Sequence, residues 1–87
     1  LPIYALMASP NPARDVTTLS FNAETEYRYT IEVTDMLGKV IQRKTGVAKQ
    51  GSNAIKLNVS TMKDGLFNIQ VINNDNGQKI ATKLVKG

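Results

Sequence analysis

Seven carboxylates are the side chains of this sequence that could do acid–base chemistry, because the chain contains no histidine and no cysteine. A catalytic pair of carboxylates needs two acids held together in a cleft. Most acids here fall in turns or on the polar side of alternating segments, and an Asp before a Gly is explained by turn geometry. We therefore expect no catalytic residue, no cofactor and no enzyme activity. The acids are Asp15, Glu24, Glu26, Glu32, Asp35, Asp64 and Asp75.

A metal site is not expected either. Without Cys and His the usual zinc spacings cannot occur. The run Asn-Asn-Asp-Asn-Gly at 73–77 is similar to the oxygen-rich start of a calcium loop, but the later carboxylates and the distal Glu are missing. Asn and Gly tolerate positive φ, so this run predicts the tip of a β-hairpin.

The aromatic residues give little support to nucleic-acid or glycan binding. Tyr27 and Tyr29 flank Arg28, and strand alternation places the two rings on one face and the arginine on the other. Stacking of single-stranded bases needs exposed rings beside a basic groove, so we expect no nucleic-acid partner. For glycans, the chain has no Trp, and Tyr4 is the one aromatic without a core role.

Length and charge describe one small domain spanning residues 1–87. A chain of 87 residues buries about 60–65% of its unfolded surface, which is enough for one core. The net charge is +4, and the basic residues run from Arg14 to Lys86 with never more than two in a row. This spread favours a solvated surface over an anion-binding patch. No apolar run is long enough to span a membrane, and the initial Leu1 indicates a fragment or a mature piece.

Alternation of apolar and polar residues predicts strands through most of the chain. The segment 27–34 is the clearest case, with Tyr27, Tyr29, Ile31 and Val33 on one face. Segments 17–21, 55–59, 67–71 and 80–85 alternate in the same way, whereas the adjacent Val40 and Ile41 give the strand after residue 38 no clean face. Residues 1–8 are predicted to be a linker or a first edge strand.

Turn residues separate these segments every 8–12 positions, at 9–12, 22–26, 35–38, 46–53, 64–65 and 73–77. Residues 60–65 are expected to form one short helical turn, with Met62 as a plug under the core. The pattern predicts an all-β fold, an immunoglobulin-like antiparallel β-sandwich of about seven strands. A small closed barrel is the second candidate.

Asp35 and Gly38 bracket Met36 and Leu37, an arrangement that suits a type I turn between two strands. Such a turn would display two apolar side chains to solvent, and the turn geometry alone does not explain why they are apolar.

Several segments taken in order resemble the type A C-terminal sorting domain of the type IX (Por) secretion system of Bacteroidetes. The resemblance begins at "SPNPARD" (9–15) and continues through "YTIEVTDMLGKVI" (29–41) and "GSNAIKLNVSTMKDGLFNIQVI" (51–72). It ends at "GQKIATKLVKG" (77–87). Phe67 stands where Tyr is commoner in the family, and Gly87 follows the lysine near which members often stop.

The resemblance implies a non-catalytic secretion signal at the end of a cargo protein. A Sec signal peptide would take the parent chain to the periplasm, and the type IX translocon of the outer membrane would then read the folded domain. A sortase-like cell-surface peptidase would remove the domain, with cleavage upstream of Pro10 or near Leu1, and leave the cargo at the cell surface. The alternative is an immunoglobulin-like spacer or a carbohydrate-binding accessory module of a secreted enzyme.

Translocon recognition is assigned, as a hypothesis, to turns and to the final strand, which a sandwich shows to a partner. For Gly38 the turn alone is a sufficient role, whereas recognition is favoured for the last strand, which could also pair with a partner strand. The candidate recognition residues are Asp35, Gly38, Lys39, Lys83, Leu84, Val85 and Lys86.

Overall fold

A computed structural model, which describes residues 6–87, shows seven antiparallel strands in two facing sheets and no helix in that range. The immunoglobulin-like β-sandwich predicted from residue alternation is confirmed, and the barrel is not adopted. The strands are β1 (Met7–Ser9), β2 (Val16–Ala23), β3 (Tyr27–Asp35), β4 (Val40–Ala48), β5 (Gly51–Asn58), β6 (Gly65–Asn73) and β7 (Lys79–Lys86).

The smaller sheet has the order β1-β2-β5 and the larger sheet the order β4-β3-β6-β7. The chain passes from one sheet to the other between β2 and β3, between β4 and β5, and between β5 and β6. As a result β2 pairs with β5 and β3 pairs with β6, although neither pair is consecutive in the sequence. The central strands of the larger sheet are β3 and β6, and its edges are β4 and β7.

The core lies between the sheets and is formed by the apolar members of the alternating segments. Phe21 and Tyr29 meet across it edge to face, with ring centroids 6.5 Å apart. Tyr27 is half-buried at its margin. The buried apolar residues are Leu6, Ala13, Leu19, Phe21, Ala23, Tyr29, Ile31, Val33, Ala48, Leu57, Val59, Met62, Phe67, Ile69, Val71 and Leu84.

The predicted loop at 46–53 is wrong, because most of it is strand. β4 continues to Ala48, and β5 begins at Gly51. Two small residues in this segment caused the wrong prediction of a loop. Gly46 pairs with Tyr29 in the register of β3 and β4, and Ala48 is buried in the core, so both sit inside a strand without an alternating large side chain.

The segment between β5 and β6 makes a turn but no helix. The Met62 N–H donates to the Val59 carbonyl at 3.0 Å, and the Met62 side chain is buried in the core. The plug predicted at Met62 is therefore confirmed, and the short helical turn around it is not found. Of the linker or first edge strand predicted at 1–8, residues 1–5 lie outside the described range, while Met7–Ser9 form β1.

Candidate functional site

Asp35 builds the turn between β3 and β4. Its carboxylate Oδ1 accepts hydrogen bonds from the backbone N–H of Leu37 and of Lys39, each 2.9 Å long. The Gly38 N–H donates to the Asp35 carbonyl at 3.0 Å, the bond expected of a type I turn. Gly38 then adopts a φ of 89°, which glycine reaches at least cost. The predicted turn is confirmed, and Asp35 and Gly38 hold its shape.

Met36 and Leu37 form the tip of this turn, and their side chains face solvent. Leu37 is 95% exposed, so it adds almost nothing to the core. The tip borders a shallow groove at the same end of the sandwich, lined in part by Ile41 and Leu66. The candidate residues chosen from the sequence did not include this tip; its signal was the position of two apolar residues inside a four-residue turn.

The end of β7 directs its side chains alternately outward and inward. Lys83 and Val85 face solvent, and the Lys83 Nζ donates to the Asn68 Oδ1 at 3.0 Å. Leu84 is 0% exposed, and Lys86 is 9% exposed. The Lys86 Nζ donates to the Met62 carbonyl at 2.9 Å. Leu84 and Lys86 therefore hold the strand on the sandwich, and a partner approaching the folded strand meets Lys83 and Val85.

The outer edge of β7 is covered by two residues of the segment before β2, which we call the N-terminal clamp: Asn11 and Ala13. The Asn11 carboxamide donates to the Lys83 carbonyl at 3.0 Å and accepts from the Val85 N–H at 2.8 Å. The Ala13 N–H donates to the Val85 carbonyl at 2.8 Å, and its carbonyl accepts from the Gly87 N–H at 3.0 Å. Four outward backbone groups at the end of β7 are thus occupied: the Lys83 carbonyl, the Val85 N–H and carbonyl, and the Gly87 N–H.

The clamp restricts how a partner could bind to the final strand. Strand addition at 83–87 requires unpaired backbone groups along the edge, and here such pairing would first have to displace Asn11 and Ala13. The clamp was not among the residues chosen from the sequence. Two prolines beside Asn11 pointed to a break between strands, but no periodic pattern showed that the break lies against β7.

The seven candidate residues lie at one end of the larger sheet. Asp35 pairs with Phe67 across β3 and β6, and Phe67 pairs with Leu84 across β6 and β7. Adjacent strands are about 4.8 Å apart, so the start of the turn and Leu84 are roughly 10 Å apart across the sheet. Residues separated by about fifty positions in sequence therefore share one end of the domain.

The other motifs have structural roles. Asn73 accepts from the Gly77 N–H and donates to the Gln78 carbonyl, both at 2.7 Å, which closes the predicted hairpin. Asp75 at its tip pairs with Arg28 at 3.0 Å. Burial raises the pKa of Tyr29 above its ordinary value, so the phenol stays neutral.

In the described part of the chain, no three acidic side chains gather as ligands for a metal ion. Nor do residues 6–87 contain a helix of the length and apolarity that crossing a membrane requires.

Comparison with known proteins gives one family match. No curated protein matches the chain. A family model described as a secretion system C-terminal sorting domain matches residues 8–87, which is nearly the whole sequence. The matched range covers the clamp, the turn at 35–38 and all seven strands except Met7 at the start of β1. With this match and a fold of two facing β-sheets, the chain belongs to the family of C-terminal sorting domains, which direct their proteins into type IX secretion.

Proposed function

We propose that the type IX translocon reads this domain at the end of the larger sheet that carries the Asp35 turn and the end of β7. The carrying observation is the register that aligns Asp35, Phe67 and Leu84 across three adjacent strands. It places the two candidate features in one surface that a single partner can cover. Because that surface forms only when the strands pair, the signal exists only in the folded domain.

The candidate residues divide into three groups by their geometry. Lys39, Lys83 and Val85 are exposed and would contact the partner. Asp35 and Gly38 would fix the shape of the turn. The remaining two, Leu84 and Lys86, would hold the strand in place from inside the fold.

In this proposal residues 1–87 are one sorting domain of type A, attached behind a cargo domain in a secreted protein of the Bacteroidetes. The parent protein reaches the periplasm with a Sec signal and crosses the outer membrane by the type IX route. A sortase-like cell-surface peptidase then separates cargo from domain. The family resemblance supports these steps, and the domain itself catalyses none of them.

The test is export of a reporter protein that carries a Sec leader and residues 1–87 in a host with type IX secretion. Deleting 83–87 would remove the buried Leu84 and the Lys86 contact, so it confuses recognition with folding. The double variant Lys83→Gln/Val85→Ser changes only outward side chains. Its matched control, Lys79→Gln/Ala81→Ser, changes outward positions at the other end of the same strand.

We expect the 83/85 variant to lower the exported fraction of the reporter at least several-fold, and the 79/81 control to be exported like the unaltered chain. Thermal unfolding of both purified domains must show equal stability. Equal export of both variants would refute recognition through the outward face of β7. Equal loss in both would show that the whole strand surface matters and would contradict a site confined to its end.

A further inference from the structure

The four edge strands of this sandwich differ in how their backbone is covered. β7 is covered at its end by the N-terminal clamp, and β1 has only three residues. Two carbonyls at the outer edge of β5 are bonded from the other sheet: Gln42 Nε2 donates to the Asn58 carbonyl, and Lys44 Nζ donates to the Lys56 carbonyl, both at 2.9 Å. The remaining edge strand is β4, which has nine residues.

The direction of the backbone groups along β4 follows from its neighbour. The Asp35 N–H donates to the Lys39 carbonyl, and the Arg28 carbonyl accepts from the Asn74 N–H on the opposite side of β3. Odd-numbered residues of β3 therefore face β4. In the register of the two strands, these residues of β3 pair with Gln42, Lys44 and Gly46 of β4. The N–H and C=O groups of the β4 residues that alternate with those three therefore point away from the sheet.

Those alternate residues are Arg43, Thr45 and Val47, and their backbone groups meet no hydrogen-bond partner among residues 6–87. Ile41, the extra residue where the register shifts, marks one end of this stretch. Val40 and Val47 are exposed at its two ends. An extended segment of about six or seven residues, some 20–24 Å long, would fit along it.

The charge of the protein is concentrated on the same side of the fold. Residues 36–63 contain six Lys and Arg and no Asp or Glu, whereas the rest of the chain has five basic and seven acidic residues. The basic residues look evenly spread along the sequence, but β4 and β5 are the edges of their two sheets and lie against each other. Arg43 has one acidic partner, Glu32 at 2.8 Å, and the Lys44 ammonium contacts a carbonyl rather than a carboxylate.

We propose that β4 is a strand-addition site for an extended, acidic polypeptide segment of a partner protein. The unpaired backbone groups of β4 favour a polypeptide as the ligand, since only another backbone offers matching donors and acceptors at the strand spacing. The basic side chains of Arg43 and Lys44 in β4 favour carboxylates on that polypeptide segment. A second copy of this chain is disfavoured, because antiparallel pairing of two β4 strands sets their Arg43–Lys44 pairs beside each other. This site is separate from the end surface of the proposed function and does not depend on it.

The test uses the 87-residue chain and a synthetic eight-residue peptide in which Glu alternates with Thr and Val. A peptide with Lys in place of Glu is the matched control. Nuclear magnetic resonance measures hydrogen exchange at each amide. On adding the acidic peptide, the amides of Arg43, Thr45 and Val47 should slow at least ten-fold. The amides of Gln42, Lys44 and Gly46 already bond to β3 and should change little.

Two proline variants separate backbone pairing from charge attraction. Thr45→Pro removes one outward N–H from β4, and proline is tolerated where the N–H of an edge strand faces solvent. Ala81→Pro makes the same change at an outward position of β7. Thr45→Pro should abolish protection of the neighbouring amides, and Ala81→Pro should leave it intact. Arg43→Gln should weaken peptide binding about two- to five-fold.

Three outcomes would overturn the proposal. Binding that survives Thr45→Pro would show that no strand is added. Slow exchange at 43, 45 and 47 that appears at high protein concentration without peptide would identify β4 as a contact between copies of this chain. If a sulfated polysaccharide shifts the lysine signals while neither peptide slows these amides, the surface binds polyanions and does not accept a strand.

Discussion

The ring of Tyr29 lies over Gly46, its partner in the neighbouring strand. A methyl group built on Gly46 would sit 2.6 Å from the Tyr29 Cζ, well inside van der Waals contact. The absence of a side chain at 46 is thus what makes room for the hydroxyl end of the buried tyrosine. An aromatic ring over a glycine is a known way of covering the gap that glycine leaves in a sheet.

Gly46→Ala should therefore destabilise the domain by about 1–3 kcal/mol, the usual cost of an overpacked core position. Chemical denaturation measures this directly. In a chain that already carries Tyr29→Val, Gly46→Ala should cost much less than it does in the unaltered chain, because the smaller side chain leaves room for the methyl group. Additive losses in the double variant would contradict a direct clash.

Asn11→Ala should loosen the end of β7 more than it affects the rest of the fold. It removes both carboxamide bonds to that strand, a loss of about 1–2 kcal/mol. Hydrogen exchange at Val85 should speed up, while the protection of the Ile69 amide in the centre of the sheet should fall only as far as global stability falls. Asn11→Asp keeps the acceptor and should give an intermediate effect; an unchanged Val85 amide in both variants would count against the clamp.

Substitution of Lys86 should lower the stability of the domain, because this side chain holds β7 on the sandwich. Lys86→Ala removes the bond to the Met62 carbonyl and the packing of the aliphatic stem, and should cost about 1–3 kcal/mol in thermal or chemical unfolding. Lys86→Met keeps the stem and should cost less. If Lys86→Met loses export at a stability equal to that of the unaltered chain, the ammonium group has a role beyond holding β7.

Stability should fall in alkaline solution because of the buried tyrosine. Burial raises the pKa of Tyr29 above the ordinary value of 10.0, and it raises the pKa of the half-buried Tyr27 as well. Above pH 10 the unfolded chain releases this proton while the folded chain retains it, so the free energy of unfolding decreases as the pH rises. Tyr29→Phe should make the curve of unfolding free energy less steep between pH 9 and about 11, and the remaining slope should come in part from Tyr27. An equally steep curve in Tyr29→Phe would show that other groups cause the loss.

The alternation of residue types was sufficient to predict the sandwich, because a strand that is buried on one face must repeat at period two. It placed Ile31, Val33, Ile69 and Val71 in the core correctly. It failed at Gly46 and Ala48, where small residues inside a strand look like a loop. Gly46 pairs with Tyr29 and Ala48 pairs with Tyr27 on the neighbouring strand, and no local pattern contains these partners.

The candidate surface was predictable in part for a similar reason. Asp35 and Gly38 carry their turn in their own sequence, so local geometry determined them. The inward direction of Lys86 and the contact of Asn11 with β7 depend on pairing between opposite ends of the chain. The charge on β4 and β5 was likewise hidden, because only the fold brings these two strands to one side.

The N-terminal clamp also has a mechanical consequence. Ala13 and Lys86 form a parallel bridge, so the segment entering the sandwich and the strand leaving it run in the same direction. Tension that pulls these two ends of the domain apart would act along the strands and load the four clamp bonds together in shear, instead of breaking them one at a time. A domain dragged by its attached cargo would resist unravelling at the clamp, where the segment that follows β1 meets the last strand.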